Sequence, residues 1–309
     1  MGKTDLNKPK HYIFAVLKYL YKKFKQLLIC TNMITFPNAK INLGLDVVSK
    51  RADGYHDLET IFYPVPLEDV LEINEVTDTA APDYTFTMYN ARFDGDSNDN
   101  LVVKAYKVLA ADHRLPKVSM ALYKNIPTGA GLGGGSADAA FALKMLNSIA
   151  ALGLNDEQLE EYAARIGADC AFFIKNTPAY ATGIGNVLSP TECSLSGYCL
   201  VLVKPDIHIS TKEAYSLVRP SVPETPLTEI AGQPVTEWKT AMKNDFEKSV
   251  FAGHPSMERI KEKLYSMGAV YASMSGSGSA FFGVFSDEQP VDRLKENFPG
   301  MFCWSKVLN

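Results

Sequence analysis

The chain is poor in the residues that staple a fold or hold a metal. Its five cysteines, Cys30, Cys170, Cys193, Cys199 and Cys303, are odd in number and include no C-x-x-C pair. That spacing excludes a disulfide framework and a zinc ribbon, and leaves reduced thiols in a cytoplasmic protein as the expectation. The five histidines, His11, His56, His113, His208 and His254, are scattered and include no H-E-x-x-H pair, so a zinc protease is excluded. No uninterrupted apolar run is long enough to span a bilayer. Internal repeats and low-complexity tracts are absent as well. A formal net charge of −4 lacks the positive excess of a general nucleic-acid binder, and no nucleic-acid partner is expected.

Positive charge is concentrated in one place. Residues 1–30 are lysine-rich and carry a single acidic residue, Asp5, so the remaining body is more acidic than the net charge suggests. Tyr12, Ile13, Phe14, Val16 and Leu17 accompany Lys18, Lys22, Lys23 and Lys25 there, a composition that suits a helix lying on a membrane surface. An appended helix and sequence upstream of a start at Met33 are the competing readings.

What is abundant locally is glycine. Ile126 to Ala140 reads IPTGAGLGGGSADAA, with Gly129, Gly131, Gly133, Gly134 and Gly135 inside seven residues. Glycine costs backbone entropy and contributes no packing, so such density marks positive φ or backbone lying against a ligand. An alternating segment, Val118, Met120 and Leu122, predicts a strand before the loop, and residues 136–152 predict a helix after it. A glycine loop emptying into a helix N-terminus presents free N–H groups and a positive dipole end, which suits a di- or triphosphate. The loop lacks the Gly-Lys-Ser/Thr ending of a P-loop, because Ser136 and Ala137 follow Gly135. A dinucleotide fingerprint fails too, with Ser136 where its third glycine belongs.

Three further segments stand out. Residues 36–47, FPNAKINLGLDV, alternate so that Ile41, Leu43, Leu45 and Val47 share one face, leaving Lys40 and Asn42 side by side on the other. A turn, Arg51 to His56 (RADGYH), follows. In IGADCAFF, residues 166–173, Asp169 stands at the mouth of an apolar stretch, placed either to cap the next turn or to act chemically. In SMSGSGSA, residues 273–280, small residues separate two apolar runs.

The ordered set PNAKINLGL, RADGYH, PTGAGLGGGSADAA, IGADCAFF and SGSGSAFFGVF resembles the galactokinase, homoserine kinase, mevalonate kinase and phosphomevalonate kinase (GHMP) superfamily, from about residue 33 to residue 285. The AKINL strand joined to RADGYH resembles the branch acting on diphosphocytidyl methylerythritol. The resemblance implies an α+β, two-domain fold with an N-terminal ribosomal-protein-S5-like domain and a C-terminal ferredoxin-like domain flanking a cleft. It implies a basic extension over 1–32, an ATP-binding domain over 33–195 and a second domain over 196–309, and it favours the upstream-sequence reading of the leader, since it begins at Met33.

Residue by residue, the resemblance implies Lys40 and Asp169 as the catalytic pair, Asp169 the general base and Lys40 its charge-stabilising partner. It implies Pro127, Thr128, Gly129, Ala130, Gly131, Leu132, Gly133, Gly134, Gly135, Ser136 and Ala137 as the ATP phosphate loop. Asn42, Tyr55, His56, Phe62, Thr211 and Tyr215 match substrate positions, with Tyr55 and Tyr215 expected to sandwich the cytosine. ATP is the expected donor, with Mg²⁺ bridging its phosphates through protein ligands that no motif identifies. The chain departs from the superfamily's usual GGGSS at Ala137 and Asp138. Three readings remain open: a kinase of the cytidyl substrate, a sister kinase of mevalonate, homoserine or a sugar, and a nucleotide binder without catalysis. RADGYH separates the first two, and the Lys40–Asp169 pair separates both from the third.

Overall fold

The structure, a computed structural model, describes residues 34–91 and 99–309. The basic extension assigned to residues 1–32 lies outside the described residues.

Three four-stranded sheets organise the described residues. The first has the order β1 (Ile34–Thr35), β4 (Val70–Glu75), β6 (Val118–Tyr123) and β5 (Tyr84–Tyr89). Strands β5 and β6 are parallel, so the chain must cross over between them, and α1 (Leu101–Ala110) lies in that crossover. The Asn100 side chain starts α1 by accepting from the Val102 N–H at 2.9 Å. Helix α2 (Gly134–Ile149) packs beside α1, and with α3 (Asp156–Ala164) and α4 (Phe172–Lys175) it covers the sheet. An Asn155–Gln158 capping box opens α3. Leu71, Ile73, Met120, Leu122, Leu143 and Leu146 form the core of this layer.

The second sheet runs β2 (Asn38–Lys50), β3 (His56–Glu68), β7 (Ala179–Thr182) and β8 (Val187–Pro190). The third is fully antiparallel, in the order β10 (Tyr271–Met274), β11 (Phe281–Phe285), β9 (Cys199–Lys204) and β12 (Phe302–Val307). Read from its far edge, the first strand of this unit sits between the fourth and the third, which is the ferredoxin-like arrangement. Helices α9 (Pro255–Ser266) and α10 (Val291–Asn297) pack on it. The α+β expectation therefore holds. A second core cluster joins Ile41, Leu43 and Ile61 of one half to Leu200, Leu202, Trp238 and Phe282 of the other, so the two halves share apolar packing.

Strand β2 departs from the sequence reading. Ile41 and Leu43 enter the shared core, whereas Leu45 and Val47 pack with Val201, Val203 and Phe281 in a third cluster. The pairing with β3 shifts register between Leu43 and Leu45, and one extra residue inverts the phase of every side chain beyond it. The same bulge lets the β2 backbone meet a second partner. The Leu45 N–H donates to the Lys243 carbonyl at 2.8 Å, and the Asp245 N–H donates to the Leu45 carbonyl at 2.9 Å. That contact interrupts the helical stretch over 238–253. It becomes α7 (Trp238–Ala241) and α8 (Phe246–Gly253), with Asn244 in the break. Helices α5 (Thr211–Ala214) and α6 (Leu227–Ala231) precede them.

Candidate active site

The glycine loop leaves β6 and enters α2 at Gly134, two residues before the predicted start. Gly133 is the N-cap at φ 69°, with no side chain capping the helix and no acidic residue in its first turn. The first-turn N–H groups are thus left for a ligand. They front a cavity of about 420 Å³ lined by Leu101, Leu122, Lys124 and the whole loop from Pro127 to Ser136. Ala137 is not in that wall; it is fully buried in the core of the first layer.

The spacing of the glycines has a tertiary cause. A Cβ on Gly131 would stand 2.0 Å from the Ser275 carbonyl oxygen, because the 275–280 loop closes against the glycine loop. The Ser275 hydroxyl donates to the Gly131 carbonyl at 2.8 Å, and the Ala280 N–H donates to the Ala130 carbonyl at 3.0 Å. A Cβ on Gly133 would stand 2.9 Å from both Lys40 Cγ and Phe173 Cζ. A bare Gly133 therefore leaves room for the Lys40 and Phe173 side chains.

Lys40 and Asp169 do converge. Lys40 Nζ lies 3.3 Å from Asp169 Oδ2, with the lysine buried and the carboxylate 36% exposed. The Lys40 ammonium also donates to Asn42 Oδ1 at 2.6 Å and sits 4.8 Å from the centre of the Phe62 ring. Its backbone N–H donates to the Leu132 carbonyl at 2.9 Å, tying β2 to the glycine loop. Asp169 occupies the turn before α4 and does not cap it, since α4 has no side-chain cap. Asn42 is committed on both ends of its amide. Its Nδ2 donates to Thr60 Oγ1 at 3.0 Å, and the Thr60 hydroxyl donates to the Gly44 carbonyl at 2.6 Å. In this arrangement Asn42 orients the lysine.

A second cavity, of about 220 Å³, is lined by Lys40, Asn42, Phe62, Asp169, Thr211 and Tyr215, together with Leu58, Gly185, Phe246 and Gly276. Gly131 belongs to the walls of both cavities. The lysine–carboxylate pair thus stands where a ligand on the glycine loop and a ligand in the second cavity would meet. The aromatic wall differs from the expectation. Tyr55 is 62% exposed and outside this wall, so the expected Tyr55–Tyr215 sandwich is not formed. Tyr215 stacks instead on His56, with ring centres 4.7 Å apart and planes inclined by 26°, and Phe246 meets it edge-on at 4.6 Å. Burial pushes the Tyr215 phenol up.

Sequence reading missed the supports of this wall. Asn244, buried in the helix break, donates from Nδ2 to the Met274 and Gly276 carbonyls at 2.8 and 2.9 Å. Glu247 accepts from the Met274 N–H at 2.9 Å and the Ser273 hydroxyl at 3.1 Å. Neither belongs to a motif; the only signal was an asparagine in an otherwise amphipathic stretch.

Behind the glycine loop lies a buried charge cluster. Lys124 bonds to Asp69 and, at 2.7 Å, to Asp138 Oδ2. Burial pushes the Asp138 carboxyl up to about 8, Lys124 opposing the rise and Asp69 adding to it. Burial works against the Lys124 ammonium, yet Asp138 and Asp69 together leave it raised. The Cys170 thiol, next to Asp169, is pushed up by burial to about 11, partly offset by a hydrogen bond with Ser136.

The comparisons with known proteins agree with this geometry. Residues 100–177 match the model of the GHMP kinases N terminal domain, and residues 228–302 match that of the GHMP kinases C terminal domain. A 4-diphosphocytidyl-2-C-methyl-D-erythritol kinase of Bacteroides fragilis is 56% identical over 276 residues, covering 89% of this chain and 100% of the relative. That of Parabacteroides distasonis is 53% identical over 279 residues, covering 90% and 100%. Among solved structures, a 4-(cytidine 5'-diphospho)-2C-methyl-D-erythritol kinase superposes with a TM-score of 0.73 at 30% identity, covering 88% of this chain and 98% of that one. The Methanococcus jannaschii mevalonate kinase, at 13% identity and a TM-score of 0.66 over 90% of this chain and 98% of that one, shares the fold.

Proposed function

Because the chain belongs to the 4-diphosphocytidyl-2-C-methyl-D-erythritol kinase family of the GHMP kinases, we infer that its cleft is a phosphoryl-transfer site in which Asp169 and Lys40 do the chemistry. The reaction is the ATP-dependent phosphorylation of 4-diphosphocytidyl-2-C-methyl-D-erythritol, in isoprenoid precursor biosynthesis. The acceptor is a small molecule. No described helix is long and apolar enough to cross a membrane, and the cytoplasm is the compartment we propose. We also propose the division into an ATP-binding half over 33–195 and a second half over 196–309.

The observation that carries the residue assignment is the 3.3 Å pair at the junction of the two cavities. Phosphoryl transfer asks a protein for alignment and for charge stabilisation rather than covalent chemistry. On the donor side, the loop amides and the open end of α2 hold the ATP phosphates. On the acceptor side, the cytosine end lies against Tyr215, with Thr211 and Phe62 bordering the same cavity and His56 stacked on the Tyr215 ring from outside the wall. The tertiary 2-hydroxyl then faces Asp169, whose carboxylate accepts its proton as the oxygen attacks the γ-phosphorus and the bond to the β,γ-bridging oxygen breaks, releasing ADP. The Lys40 ammonium, held by Asn42 and Phe62, faces the transferring group and offsets the negative charge on its equatorial oxygens. Tyr55 stands outside the wall and contributes only if the turn over 51–55 folds inward.

Among the described residues no three His, Cys, Asp or Glu side chains cluster as a metal cage. A Mg²⁺ arriving on the nucleotide would find the Asp169 carboxylate at the junction of the two cavities as an oxygen donor of the kind it prefers. The cation would neutralise charge on the transferring phosphates.

A coupled assay of ADP release with a panel of alcohols tests the assignment. ADP release that depends on the diphosphocytidyl alcohol alone is the expected result, and preference for mevalonate, homoserine or a sugar removes it.

A further inference from the structure

Asp138 has no part in the transfer step, yet it stands in the wall of the nucleotide cavity with one oxygen unused. The residue is 2% exposed. Its Oδ2 accepts from Lys124 Nζ at 2.7 Å, while its Oδ1 is buried without a hydrogen-bond partner. A lone buried carboxylate oxygen is expensive, and a native fold retains one where a ligand or a proton completes it.

The neighbours decide which. Asp69 is satisfied as an anion, because its Oδ1 accepts the Asn125 and Ile126 N–H groups at 2.6 and 2.8 Å and its Oδ2 pairs with Lys124. Lys124 and Asp69 thus balance each other. An ionised Asp138 would add an uncompensated negative charge to a wall whose other features, the open helix end and the loop amides, attract anions. Among the described residues, the other charged group in this wall is Asp99, which faces Lys104 of α1 at 3.9 Å, and Lys144, further along α2, donates to the Phe173 carbonyl at 3.3 Å. None of them offsets a second carboxylate.

We propose that Asp138 acts as a neutral carboxylic acid and that its free oxygen, carrying the proton, donates a hydrogen bond to the polyphosphate of the bound nucleotide. This rests on the reading of the glycine loop as the nucleotide site. A carboxylic O–H to an anionic oxygen is one of the stronger hydrogen bonds available to a protein. The burial that lifts this carboxyl to about 8 keeps it protonated at neutral pH.

The sign of the linkage follows. ADP binding favours the protonated form, so its affinity is full below pH 8 and falls as pH rises above it, approaching about tenfold per unit. Binding then takes up protons. Titration of the full chain with ADP between pH 6.5 and 9.5, in buffers of different ionisation heat, reads both quantities on the unmodified protein. Asp138→Asn, whose amide still donates, is expected to bind ADP with an affinity independent of pH over this range. Adenosine, which has no phosphate, is expected to show no slope with either protein. A flat profile for the unmodified chain or an unchanged slope in Asp138→Asn overturns the proposal alone. Absence of ADP binding at pH 7 removes the nucleotide reading with it.

Discussion

The two walls of the cleft are built by opposite means. The nucleotide wall is mostly backbone: one loop, one helix end, contiguous in the chain, with glycines where neighbouring atoms leave no room for a side chain. The acceptor wall is side chains from β2, β3, the turn before α4, α5 and the loop after β10, brought together from across the chain. A backbone wall is damaged by adding atoms, a side-chain wall by removing them. That contrast predicts how each fails.

The largest effect belongs to the acceptor wall. Asp169→Asn keeps the shape and removes the base, and turnover is expected to fall roughly 10²- to 10⁴-fold while titration with metal-free ATP is unchanged. Near-normal turnover would take Asp169 out of the mechanism. Next is Gly133→Val, in which a side chain would collide with Lys40 and Phe173 from a backbone at φ 69°. Displacement of the lysine by about 1 Å is expected to cost about 10²-fold in kcat. A variant in which only the ATP dissociation constant changes would mean that the residue serves phosphate instead. Removing a ring sharpens the comparison further. Tyr215→Ala should raise the acceptor KM roughly 5- to 150-fold, the equivalent of about 1–3 kcal/mol of stacking, and leave the KM for ATP alone. The exposed Tyr55, changed to alanine, should shift the same KM by no more than about 0.5 kcal/mol. Equal effects of the two would show that the turn over 51–55 closes on the substrate. Smallest in catalysis but visible in stability is Asn244→Ala, which strips two carbonyls of their donor. Urea unfolding should register a loss of about 1–3 kcal/mol, with a higher KM for both substrates because the 275–280 loop braces both walls.

Much of this site was legible in residues 126–140, where composition alone constrains the backbone. The strand, the loop and the helix follow from alternation, glycine density and apolar spacing, and the structure moves only the helix start. Less was legible in β2. The alternation of Ile41, Leu43, Leu45 and Val47 is real, but the bulge beside Gly44 splits those residues between two cores, and a phase slip leaves no trace in a pattern of period two. The break in the helix at 242–245 was equally hidden, because it is imposed by pairing with Leu45 rather than by any helix-breaking residue. His56 and Tyr215 were both named from the sequence, whereas their stacking on each other depends on how α5 docks beside the β2–β3 turn.

The sequence by itself determined the parts whose cause is local: where strands alternate, and where glycine permits a loop that a helix can follow. Only the tertiary structure decided that Lys40 reaches Asp169, that Gly131 and Gly133 are small because Ser275 and Lys40 press against them, and that Asp138 closes on Lys124 with an oxygen to spare. Backbone preferences act over a few residues, but the convergence of side chains distant in the chain is set by packing, and packing is a property of the whole fold.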